Sequence, residues 1–161
     1  MRDNGGFWST LARWLARGSE EEPYRPPQKR TWAEKLTDDG NAWLAARRLE
    51  LDGNLDGAAH SYAQDAEIWR QRGQLARAAL SAACQARCLA GLGVDGAAGY
   101  ERAAGLYLEA GRRAVAASPH DAIHLLERAT ECYGLAGNGG NHEAAALLDA
   151  LRSVLDGAAD R

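Results

Sequence analysis

Apolar and polar residues alternate along this chain with helical spacing from near its start to near its end. The first amphipathic stretch is "FWSTLARWLARG", residues 7–18. Plotted at ~100° per residue, Phe7, Trp8, Leu11, Trp14, Leu15 and Gly18 fall in an arc of about 120°. Ser9, Thr10, Arg13, Ala16 and Arg17 cover the opposite side. Next comes a stretch rich in charge and proline, 18–30, containing Pro23, Pro26 and Pro27, which reads as a linker. Beyond it the pattern predicts helices near 32–52, 56–72, 74–92, 95–116, 119–136 and 142–156. Ser118 before Pro119 reads as a cap with proline in the first turn, and Asn141 as the cap of the last helix. β-branched residues are scarce, so the expected class is all-α with no strand. Residues 1–30 form an expected N-terminal arm and 31–161 a helical domain.

The helices repeat. In "AAHSYAQDAEIWRQRG" (58–73) and "AAGYERAAGLYLEAG" (97–111), Tyr62 aligns with Tyr100, Ala66 with Ala104, Trp69 with Tyr107 and Gly73 with Gly111, each pair 38 residues apart (62 to 100, 73 to 111). Leu126, Thr130, Tyr133 and Gly137 form a weaker third copy. The spacing puts an apolar residue, a small residue and an aromatic on one face, with glycine ending the helix. "AARRLELDGNLDGAA" (45–59) and "QARCLAGLGVDGAA" (85–98) each read as a helix end, a glycine-containing turn and a new start, with Asp56 and Asp95 suited to a helix N-terminus. The unit is helix–turn–helix.

On "GAAGYERAAGLYLEAG", and on Leu49, Gly53, Leu55, Ala58 and Tyr62, the stretch 37–137 resembles the tetratricopeptide-repeat superfamily, in particular its longer-repeat, SNAP-like members. The unit exceeds the ~34 residues of the standard repeat. The resemblance implies a short right-handed solenoid of about three helical hairpins with a C-terminal capping helix and the tethered N-terminal amphipathic helix. It further implies that first helices line a concave ligand surface, which makes Arg47, Arg87 and Trp43 groove residues. Arg87 falls away from the polar side of its helix, so its other reading is an ion pair with a neighbouring acid. The alternative within all-α is an irregular helical bundle. The last helix has Leu147, Leu148, Leu151, Val154 and Leu155 on one side and Glu143, Asp149, Arg152 and Asp156 on the other, as a capping helix requires.

Composition narrows the function. The 161 residues are 25% charged and 46% apolar, with net charge −3, which gives nucleic acid no basic face. Residues 1–36 carry seven basic and five acidic groups (+2), leaving twelve and seventeen (−5) for 37–161. Cys84, Cys88 and Cys132 fit reduced, buried thiols of a cytoplasmic protein. No apolar run is long enough to cross a membrane, and Arg13 and Arg17 break the pattern of a signal peptide. "GLGVDG" lacks the Lys-Ser/Thr of a phosphate loop, and no nucleophile motif is present. His120 and His124, with Glu127, have the spacing of a helical metal site but no matching ligand pair elsewhere. No cofactor and no catalysis are therefore expected.

Five of the eleven aromatics (Phe7, Trp8, Trp14, Tyr24 and Trp32) lie in the first 32 residues. The opening helix, some 16–18 Å long, is too short to be stable alone in water. It folds back onto its own first hairpin, docks in a groove on another protein, or lies on a membrane surface. The expected function is a non-catalytic adaptor or accessory subunit of a larger assembly. It would grip a protein partner through Phe7, Trp8, Leu11, Trp14, Leu15 and Trp32 and through the groove. The alternatives are a peripheral membrane protein anchored by the same helix, and a small metal-binding protein or enzyme using His120 and His124.

Overall fold

A computed structural model describes residues 38–137 and 142–159, with side chains from 42 to 137 and from 143 to 157. The described residues form six α-helices and no strand: α1 (Asp38–Leu51), α2 (Leu55–Gln71), α3 (Leu75–Gly91), α4 (Ala97–Ala114), α5 (Pro119–Leu135) and α6 (His142–Ala159). The expected helices are met within three residues at every boundary that lies inside the described residues. The stretch 32–37 of the first expected helix, the arm before it and the Asn141 cap lie outside them.

The first three turns share one stop signal. Asn54, Gln74 and Val94 donate their backbone N–H to the carbonyls of Leu49, Trp69 and Leu89, five residues back, at 2.8, 2.9 and 3.0 Å. That bond requires a left-handed residue just before the donor, and Gly53, Gly73 and Gly93 supply it with φ of 78°, 71° and 74°. Asn54 then starts α2, its side-chain oxygen accepting from Gly57 N at 3.0 Å. Asp95 accepts from Ala97 N at 2.9 Å and starts α4. Pro119 opens α5 with Ser118 at the cap position, but the Ser118 hydroxyl makes no cap bond.

Gly111 departs from its expected role. It lies inside α4, buried, and the helix continues to Ala114. A Cβ on Gly111 would stand 2.9 Å from Cγ of Leu126 on α5. Gly73 ends a helix, whereas Gly111 admits a neighbour. The third sequence copy also changes place: copies one and two lie on α2 and α4, but Leu126, Thr130 and Tyr133 lie on α5, the helix directly after α4, with Gly137 just past its end. Only Leu126 of the four is buried, while Thr130 and Gly137 are exposed, and the match falls on the helix after α4 instead of on the next helix of the same phase.

Extensive packing runs between consecutive helices, α1 to α6 in chain order, giving a repeat-like helical fold. The interior is largely alanine, with Ala79, Ala82, Ala103, Ala104, Ala122 and Ala129 in one cluster around Tyr107, Leu126, Leu148 and Leu151. A second cluster joins Ala46, Ala58, Ala59 and Tyr62 to Cys84 and Cys88. Small residues let axes approach closely: a Cβ on Gly99 of α4 would lie 2.8 Å from the Ala86 methyl of α3.

Candidate interaction surface

The second cluster is closed by a polar knot. Glu50 sits in the last turn of α1, its side chain 15% exposed. It accepts three hydrogen bonds: from Arg47 Nη1 on its own helix at 2.8 Å, from Tyr62 Oη on α2 at 2.9 Å, and from Arg87 Nη2 on α3 at 2.5 Å. Burial pushes the Glu50 carboxyl up, but the bonds from Arg47, Tyr62 and Arg87 outweigh it and hold it below its ordinary value. Tyr62 is fully buried. Burial and its bond to the Glu50 carboxylate raise its phenol far above the ordinary range. Two guanidinium groups on one carboxylate leave a surplus positive charge at the surface, where the Arg87 side chain is 55% exposed.

A related arrangement occurs further along. Burial raises the Tyr107 phenol, opposed by the Arg128 side chain bonded to it, and that bond raises Arg128 in turn. Arg128 also pairs with Glu131 at 2.8 Å. Arg47, Arg87 and Arg128 are spaced 40 and 41 residues apart (47 to 87, 87 to 128) and belong to α1, α3 and α5. Cys84 lies within electrostatic range of all three, burial raising its thiol and Arg87 foremost among them opposing. The cysteines are free and buried. Burial raises the Cys88 and Cys132 thiols as well, which makes all three poor nucleophiles.

The structure thus brings together Arg47 and Arg87 from the residues singled out by sequence, and joins them through Glu50. Trp43 is half-buried against the same cluster. Its indole Nε1 is shielded and finds no acceptor among the described residues. Phe7, Trp8, Leu11, Trp14, Leu15 and Trp32 lie outside the described residues. His120 is exposed. The His124 ring is also exposed and stands 3.3 Å from Glu127, which Arg152 of α6 binds at 2.6 Å. Among the described residues no group of three His, Cys, Asp or Glu side chains is placed to hold a metal ion. None of the described helices is long and apolar enough to cross a membrane. Sequence reasoning missed Glu50 and Arg128. The repeated arginine spacing is the signal that locates Arg128; Glu50 has none, because its partners come from three helices.

The two end helices differ. On α1, Leu44, Arg48 and Leu51 at i, i+4 and i+7 share one face, opposite buried Ala46, and the leucines are 48% and 71% exposed. On α6, the outward positions are mostly polar, with Glu143, Asp149, Arg152 and Asp156 exposed, while Leu148 and Leu151 are buried. Arg112 of α4 pairs with Glu143 and ties α6 down. No protein-family model, curated protein or solved structure gives a significant match to the chain.

Proposed function

We propose that this chain is a non-catalytic protein–protein interaction module, an adaptor or accessory subunit built as a short tetratricopeptide-like solenoid. It takes its partner through the N-terminal amphipathic helix and through the surface along α1, α3 and α5. The observation that supports this most is the Glu50 knot. Arg47 and Arg87, equivalent in sequence, meet on one carboxylate that ties α1 to α3. The link ties together the first helices of the two expected hairpins, which a stacked array would also bring near one another. It also presents half-exposed guanidinium groups, suited to bidentate recognition of carboxylates.

The test is affinity purification from the source organism with the full chain, with residues 1–30 deleted, and with Arg87→Glu. The reading expects one partner in fixed ratio with the full chain. It expects loss of that partner on deletion, with an unchanged helical circular dichroism spectrum, and weakening by Arg87→Glu. Equal recovery by all three proteins overturns it. So does flotation of the purified chain with anionic vesicles that is lost on Trp8→Ala/Trp14→Ala, which would assign the helix to a membrane surface.

A further inference from the structure

α1 is the first described helix, and among the described residues it packs chiefly against α2. Its inner residues Ala46, Leu49 and Trp43 belong to the cluster shared with α2 and α3, while its outer face exposes Leu44, Ala45 and Leu51, with Arg48 between the leucines. An array of packed helices needs a polar outer surface at each end. α6 meets that need with Glu143, Asp149, Arg152 and Asp156 around a marginally exposed Val154, whereas α1 sets only Arg48 between the more exposed Leu44 and Leu51.

The chain itself carries the complementary piece. Residues 7–18 have one apolar face of Phe7, Trp8, Leu11, Trp14 and Leu15 and a polar back bearing Arg13 and Arg17. Its length of some 16–18 Å matches α1, whose fourteen residues span about 21 Å. The chain outside the described residues ends at Thr37, directly before Asp38, the first residue of the helix with the open face. The linker from Gly18 to Trp32, where the next expected helix begins, reaches up to about 45 Å, ample for an antiparallel or a parallel approach. The charges agree too: Asp52 and Asp56 are exposed just past Leu51, close to the negative end of the α1 dipole, where Arg17, which flanks the apolar face, would sit well. A tether this short holds the segment at an effective concentration near millimolar, above what a second copy supplies in dilute solution.

We propose that the outer face of α1, centred on Leu44 and Leu51, is the docking site of the chain's own segment Phe7–Gly18, which caps the array at its N-terminal end. The segment's polar back then becomes the outer surface that α1 lacks. A partner that grips the same five anchors must first lift the segment off α1, so docking in cis and docking in trans exclude each other.

Hydrogen exchange on the full chain tests this without any partner, so its failure is separable from failure of the interaction role. Amides of residues 7–17 should exchange at least about tenfold slower than a free peptide of the same sequence. The protection should be independent of protein concentration. Leu44→Glu/Leu51→Glu changes only exposed positions. It should abolish the protection while leaving that of α2–α5 intact. Trp14→Glu, outside the described helices altogether, should do the same from the other side. Free-peptide exchange rates in the unmodified chain overturn the proposal. So does protection that survives both variants, or protection that rises with concentration, the latter assigning the face to a second copy.

Discussion

The two ends of the helical array solve different problems. Around α4–α6 the interior is hydrocarbon: Leu126, Leu148, Leu151 and Tyr107 fill the space between alanines, and the outer face of α6 is polar. Around α1 and α2 the interior is smaller and depends on a hydrogen-bonded carboxylate, Glu50, while leucines stand outside. A sealed apolar end draws its stability from area and shape, and loses it through cavities. A knotted end draws it from satisfied polar groups, and loses it when one partner is removed.

The largest effect should come from opening the sealed end. Leu126→Ala removes a fully buried side chain wedged against α4 and should cost about 2–5 kcal/mol, read from urea unfolding. A cost under ~1 kcal/mol would show that α5 collapses onto α4 and that the end is not tightly packed. Next, Glu50→Ala strips the buried Tyr62 hydroxyl of its acceptor and should cost about 1–3 kcal/mol at neutral pH. The folded Glu50 carboxyl titrates below its ordinary 4.5. Its contribution is therefore fully present above that value and is lost as pH falls through the folded one. The gap between wild type and Glu50→Gln should accordingly close on acidification below pH 4.5, measured by thermal melts across pH. A gap that widens instead would place the carboxyl in a site that favours its protonated form.

Two glycines on one helix sharpen the contrast between contact and open surface. Gly111→Val forces a side chain into Leu126 and should cost about 1–3 kcal/mol. Gly105 on the same helix meets nothing within 4 Å. Gly105→Ala should therefore stabilise by about 0.5–1 kcal/mol through helix propensity, the smallest effect of the set. Melts of the pair should move in opposite directions, and a shared sign would contradict the close α4–α5 crossing.

Periodicity located the helices because one buried face imposes the same spacing on every one of them. Tyr62, Trp69, Ala104 and Tyr107 are buried as their positions in the pattern require. At Leu126–Gly137 the spacing kept its local meaning, with Leu126 buried and Gly137 past the helix end at φ 76°, but it fell on α5, out of step with the copies on α2 and α4. The spacing misled at Gly111, since a glycine that ends a helix and one that admits a neighbouring helix look alike in one dimension. Ser118 occupies its expected place without making the bond that usually justifies it. Arg47 and Arg87 were visible as equivalent positions, yet the acid between them was not.

What the amino-acid sequence determined by itself was local: which stretches are helical, where Gly53, Gly73 and Gly93 stop them, and which face of each is apolar. These follow from backbone conformational preference and side-chain spacing along one helix. Tertiary structure decided which helices touch closely enough to need glycine. It decided that one carboxylate on α1 receives donors from α1, α2 and α3. It also decided that no described residue covers Leu44 and Leu51 of α1, whereas Leu148 and Leu151 of α6 are buried. Those outcomes depend on distances between residues far apart in the chain, and no helical period records them.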